Sequence, residues 1–150
     1  MKIKQLSVFL ENKPGHLGRL CEILSQAHIN VLNMTLADTK DFGILRMIVR
    51  EWEEAYAILS EKGFAVKILD VLAVEVPDEP GGLQKVLMIL QSADLDIDYM
   101  YAFPGYLSKK KQAVIVLRLS DSNLDSAIEK MQKEQIALLS AKQFYKEEKV

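Results

Sequence analysis

The sequence predicts an α+β protein in which one β-α-β-β-α-β unit occurs twice. Three observations carry that prediction. "NKPGHLGRL" at residues 12–20 returns as "DEPGGLQKV" at residues 78–86, a gapless spacing of 66 residues. Before each Pro-Gly pair large apolar residues recur at every second position: Leu6, Val8 and Leu10, then Leu72, Val74 and Val76. Alternation of period two is a strand with one buried face. After each pair Leu17, Leu20, Leu24 and Ala27, then Leu83, Val86, Leu90 and Ala93, recur at spacings of three and four. Those spacings form one apolar side of a helix.

The remaining elements follow in the same order in both halves. "INVLNMTLA" and "LDIDYMYAF" read as second strands, and "DFGILRMIV" and "KQAVIVLRL" as third strands. "EWEEAYAILSEKG" and "SNLDSAIEKMQKE" have helical periodicity, the first closed by Gly63. "FAVKIL" and "ALLSAKQF" are the expected last strands. This is the split β-α-β order of ferredoxin-like folds, an antiparallel sheet with its helices on one face. The first and third strands are expected to lie centrally and parallel. The halves divide into residues 1–69 and 70–150, and no Gly/Ser/Pro-rich linker separates them, so the two domains are expected to dock on each other. The third strands, Ile44–Val49 and Ala113–Leu119, are almost wholly apolar apart from Arg46 and Arg118. An exposed sheet face would alternate instead, so the face away from the helices is expected to be covered, by the other repeat or a second chain. A homodimer is the resulting expectation.

Composition narrows the class of function. A chain that is 49% hydrophobic and 27% charged has the balance of an ordinary globular protein. The net charge of −2 attracts neither nucleic acid nor an anionic membrane. No apolar run approaches the ~20 residues of a membrane span, and the N-terminus has no signal-peptide core. One cysteine, Cys21, cannot form an intrachain disulfide, and the expected compartment is the reducing cytoplasm.

The repeated turn is the candidate site. A proline suits the entry to a helix, because the N–H it lacks has no partner there anyway. Gly15 and Gly81 let a ligand approach the backbone. The next residues, His16 and Leu17, then Gly82 and Leu83, are expected to offer unpaired N–H groups at the positive end of a helix dipole. A small carboxylate fits such an end. Asn12 brings both a donor and an acceptor to the rim, and Asn30 is a second amide where the chain leaves the same helix. In the second repeat their places are taken by Asp78 and Asp96, whose charge repels an anion and attracts an ammonium group. The repeats are therefore expected to differ, with Asn12 and Asn30 forming the better amino-acid site. The Asp pair, with Gly81, Gly82 and Leu83, is a weaker or purely structural copy. The bland alternative is that Pro-Gly with Asn or Asp before it is only turn chemistry.

With those residues in view, the chain resembles a tandem pair of ACT domains. "ENKPGHLGRLCEILSQAHINVLNMTLA" is similar to the amino-acid-sensing domain of D-3-phosphoglycerate dehydrogenases. The likeness spans residues 3–70 and, more loosely, 71–145. It implies binding of a small ligand, usually an amino acid, at an interface between paired domains. It assigns ligand contacts to Asn12 and Asn30 and to the loop Pro14, Gly15, His16 and Leu17. Family members are usually fused to a metabolic enzyme or a DNA-binding domain. A chain of 150 residues has no room for either, which implies a stand-alone sensor or a regulatory subunit. The alternative is an interaction module that docks on an enzyme of amino-acid metabolism and binds nothing small.

Other constellations are weaker. Nucleophilic catalysis would need a base beside Cys21, and His28 follows it by seven residues; Cys21 reads more simply as a residue at the core's edge, and no enzymatic activity is expected. Two histidines and one thiol share no metal-ligand spacing, and no cofactor is implied. Asp38 and Asp41 belong to a hairpin tip. "DSNLD" at 121–125 reads as an N-cap rather than a calcium loop. "SKKKQ" at 108–112, near Tyr99, Tyr101, Phe103 and Tyr106, is a solvated hairpin rather than a nucleic-acid surface, and those aromatics are expected to line an interface. "YKEEKV" reads as a frayed end.

Overall fold

The computed structural model describes residues 1–38, 42–104 and 112–145. The hairpin positions at Asp41, Tyr106 and 108–111, and the tail beyond Tyr145, lie outside the described residues, as does the side chain of Asp38. The chain divides into two compact units, Lys4–Leu69 and Asp70–Val150, with Met1–Ile3 grouped in the latter.

The first unit is built from β1 (Lys2–Glu11), α1 (His16–Gln26), β2 (Val31–Asp38), β3 (Phe42–Val49), α2 (Trp52–Glu61) and the opening of β4 (Ala65–Pro77). Its sheet order is β2-β3-β1-β4. β1 and β3 are central neighbours but antiparallel, pairing Leu6 with Met47 and Leu10 with Gly43. The expected parallel pair is thus corrected, for a topological reason. The helix crossover returns β2 in the direction of β1, and the hairpin then reverses β3 against both. The core lies between sheet and helices: Leu6, Val8, Leu45, Met47, Leu20 and Leu59 are among its buried members. Burying one such side chain fully is favourable by about 1.5–3 kcal/mol. Six residues of this size therefore outweigh any single turn or ion pair.

The second unit contains the rest of β4, then α3 (Gln84–Ser92), β5 (Tyr99–Pro104), β6 (Gln112–Arg118), α4 (Asp121–Lys133), β7 (Ala137–Leu138) and α5 (Ala141–Phe144). Its sheet runs β7-β4-β6-β5, with β4 and β6 antiparallel. Leu72, Val74, Ile115, Leu117, Leu124 and Met131 form its core. A single strand, β4, thus ends one unit and begins the next.

Two local expectations are corrected here. The last strand of the second unit is only two residues, not the whole of "ALLSAKQF". Ser140 and Gln143 form a capping box, in which the Ser140 hydroxyl accepts the Gln143 N–H at 3.2 Å and the Gln143 side chain accepts the Ser140 N–H at 2.9 Å. That reciprocal pair starts a helical turn in place of a strand. The α4 cap is Ser120, without a side-chain bond, while Asp121 accepts from Arg118 Nη1 at 2.8 Å. Tyr99, Tyr101 and Phe103 sit half-buried on the face away from α3 and α4. There Phe103 meets Phe144 edge-to-face at 5.9 Å.

All four long helices stop in the same way. The residue after the C-cap takes a left-handed conformation, and the next N–H returns to a carbonyl of the last turn. Gly63 does so after α2, at φ 87°. His28, Asp94 and Gln135 do so after the other three, at φ 56°, 54° and 57°. His28 is therefore a helix terminator, and Cys21, expected at the core's edge, is exposed. Among the described residues no helix is long and apolar enough to cross a membrane.

Candidate functional site

The first Pro-Gly loop opens a cavity of about 370 Å³ lined by Leu10, Glu11, Asn12, Lys13, Pro14, His16, Leu17 and Leu36. Its position follows from the chain direction. β1 ends at Glu11, Gly15 takes φ 87° as the N-cap of α1, and the helix then turns back over the sheet. No neighbour lies within 4 Å of a Cβ built on Gly15, so this glycine answers to backbone angle rather than crowding.

The backbone donors are only partly as expected. The His16 N–H donates to the Lys13 carbonyl at 3.3 Å, and the Arg19 N–H to the Gly15 carbonyl at 2.8 Å. The His16 amide is therefore occupied by the loop itself. Among the described residues, the Leu17 and Gly18 N–H groups have no backbone acceptor, and they are the donors this helix end presents. The rim carries an ion pair between Lys13 and Glu11. The Lys13 hydrogen bond, then its charge, hold the Glu11 carboxyl below its ordinary range.

Asn12 is exposed at the mouth, its side-chain oxygen 3.5 Å from where a Cβ on Gly43 would sit. Leu36 Cδ1 would lie 3.1 Å from the same point. Gly43 thus makes room for two cavity-lining side chains. Neither Gly43 nor Leu36 stands out in the sequence, because their role arises from strand pairing across β1, β3 and β2.

Asn30 does not join Asn12. The 11 residues of α1 lie between them, a span of about 16 Å at the helical rise of ~1.5 Å per residue.

The second loop is built differently. α3 starts at Gln84, two residues later than the repeat implies. The Gly82 N–H, expected to be unpaired, donates to the Glu79 carbonyl at 3.0 Å, and Gln84 N–H to the Gly81 carbonyl at 2.9 Å. A Cβ on Gly82 would stand 2.0 Å from the Pro77 carbonyl oxygen. This turn is folded against its own strand end. Asp96 lines a cavity of about 350 Å³ at the far end of α3, with Leu87, Leu90, Gln91, Asp94, Leu95 and Ile97. Asp78, Gly81, Gly82 and Leu83 are not among its lining residues, so the structure does not gather the five candidates of this repeat into one site.

Among the described residues, no three or more His, Cys, Asp or Glu side chains are grouped to hold a metal. Cys21 is a free thiol exposed on α1.

Two units of this topology, each with a strand-to-helix loop at one end, make up a tandem α+β fold. The sequence matches the family described as the ACT domain pair over residues 1–147, and the chain belongs to that family. It is 30% identical over 141 residues to the acetolactate synthase small subunit of Buchnera aphidicola subsp. Baizongia pistaciae, covering 89% of each chain. It is also 30% identical over 84 residues to the acetolactate synthase small subunit of Haemophilus influenzae, covering 56% of this chain and 52% of that one. A crystal structure of a protein from Bacteroides thetaiotaomicron is 41% identical, covers 97% of both chains and superposes with a TM-score of 0.88. The regulatory subunit of aspartate kinase from Thermus thermophilus shares the fold at a TM-score of 0.59 and 13% identity, over 87% of this chain and 91% of its own.

Proposed function

We propose that this chain is a non-catalytic, amino-acid-sensing regulatory subunit of an enzyme of amino-acid biosynthesis, of the acetolactate synthase kind. One observation carries the reading. The Asn12–Leu17 loop presents a cavity of amino-acid size with two helix N–H groups lacking a backbone acceptor and an amide at its mouth. The name of the Buchnera relative, matched over most of both chains, supports the enzyme partner. The ligand carboxylate docks at the Leu17 and Gly18 amides, Pro14 and Gly15 hold the loop open, and Asn12 takes the polar head.

Asn30 serves a neighbouring copy. β2 is a terminal strand of its sheet, and Leu32, Met34 and Leu36 on it are 38%, 43% and 49% exposed. An edge strand with three uncovered apolar side chains supports pairing with a second chain. A ligand at that junction shifts how the copies dock, and the shift is the signal to the enzyme.

The test is calorimetry of the intact protein against the twenty amino acids. At 100 times its dissociation constant a ligand raises stability by about 2.7 kcal/mol, so a thermal-shift screen finds it first. Asn12→Ala should then weaken that ligand by about 1–3 kcal/mol, the worth of its hydrogen bonds in a closed site. No shift with any amino acid leaves the reading of an interaction module that binds nothing small. Unaltered affinity in Asn12→Ala removes the site assignment.

A further inference from the structure

A second cleft of about 280 Å³ lies in the first unit, lined by Phe9, Glu11, His16, Arg19, Phe42, Lys62, Gly63, Phe64 and Ala65. Glu11 and His16 line both this cleft and the one at Asn12, so the two are neighbours. The chemistry differs. Here the walls are phenyl rings and the polar groups are cations.

Arg19 is already positioned. Its guanidinium lies 5.6 Å from the centre of the Phe64 ring, and Nη2 donates to the Lys62 carbonyl at 3.2 Å. A guanidinium fixed by a ring and a carbonyl has less freedom left to lose when it grips an anion. Its other N–H groups and the Lys62 ammonium have no carboxylate partner among the described residues. The one carboxylate in the lining, Glu11, is engaged by Lys13. The buried Nδ1 of His16 has no hydrogen-bond partner, and its ring lies tilted on Phe64 at 6.4 Å. Phe9 and Phe42 are 40% and 55% exposed, although large aromatics ordinarily lose water on folding, and the Lys67 ammonium stands 5.7 Å from the centre of the Phe9 ring.

Two cations without a carboxylate partner among the described residues thus line one hollow together with His16 and partly exposed phenyl rings. We infer that this cleft is a second small-molecule site, for an organic acid that carries a carboxylate on a compact apolar body and no ammonium group. The carboxylate pairs with the Arg19 fork, where two parallel N–H bonds fit its geometry. Lys62 adds charge, and the body lies against Phe9, Phe42 and Phe64. An amino acid is disfavoured, because its ammonium would sit among cations.

The test uses the whole protein, isotope-labelled, titrated with 3-phenylpropionate and, in parallel, with its uncharged amide and with inorganic phosphate. The expected result is saturable shifts of the Arg19, Phe42 and Phe64 amide resonances with the acid alone. Arg19→Gln should weaken binding at least tenfold and Lys62→Gln severalfold, with the remaining spectrum unchanged. Equal binding of the amide would show a merely greasy hollow. Equal binding of phosphate would show a simple anion site. Shifts centred instead on Asn12 and Leu36 would place the acid in the other cleft. Each of these outcomes, like an unaltered affinity in Arg19→Gln, overturns the inference.

Discussion

Replacing Gly82 with alanine tests whether the second Pro-Gly loop is a packed turn or a ligand cradle. The added methyl would lie 2.0 Å from the Pro77 carbonyl oxygen, 3.1 Å from its carbon and 3.3 Å from the Glu79 carbonyl oxygen. Real Cβ contacts stay beyond 3.0 Å, so at least an ångström must be recovered. The obstructing atoms are backbone, which cannot rotate aside as a side-chain end would. Overpacking of this kind typically destabilises by 1–3 kcal/mol, and a backbone obstacle places this case near ~3 kcal/mol. In a chain of this size that lowers Tm by roughly 6–12 °C. Gly18→Ala is the matched control, because nothing lies within 4 Å of its Cβ position and it is inside α1. Alanine there should raise stability by up to about 1 kcal/mol through helix propensity. Urea unfolding followed by circular dichroism measures both. If Gly82→Ala falls within ~0.5 kcal/mol of the parent, as a neutral surface change does, the loop is roomier than described and the packed-turn argument is refuted.

Four further outcomes are expected. Arg118 is 7% exposed and its Nη1 donates at 2.8 Å to both the Asp70 carbonyl and the Asp121 carboxylate. Arg118→Ala should therefore destabilise by about 3 kcal/mol in urea, and Asp121→Ala, at the exposed end of the pair, by under ~1 kcal/mol. Asp94→Gly and Gln135→Gly should each stabilise by about 1 kcal/mol by relieving a left-handed conformation in a residue with a Cβ, read in the same unfolding assay. Lys13→Gln should return Glu11 to ordinary carboxylate titration, followed by carbon NMR of its side chain. Because the folded pKa is lowered, Glu11's contribution is present above its unfolded value and lost as pH falls through the folded one. The variant should flatten that acid limb. Lys2 is the opposite case, raised chiefly by its hydrogen bond to Asp125. Its contribution is complete below its unfolded pKa and lost as pH rises through the folded value. Asp125→Asn should remove that alkaline dependence in pH-resolved melting curves.

The duplicated unit was legible in one chain because the repeat keeps what local structure needs. Leu6, Val8 and Leu10 must alternate to put one face of a strand in the core. Leu17, Leu20 and Leu24 must follow the helical turn, and Pro-Gly must join the two. Those are short-range constraints, and they fix element type and order, as well as Asn12 beside the first helix entry. Other properties depend on what distant residues do to one another. Strand direction reversed between β1 and β3 because a hairpin intervenes. The helix stop at His28 has no glycine to announce it. The two Pro-Gly loops read alike, yet one stands open while the other is closed on Pro77, a difference set by one carbonyl oxygen beside Gly82. The gathering of Arg19, Phe64, Phe9 and Phe42 around a second hollow belongs to the same class. No local pattern records it, because those residues come from a helix, two strands and a loop that only the folded sheet brings together.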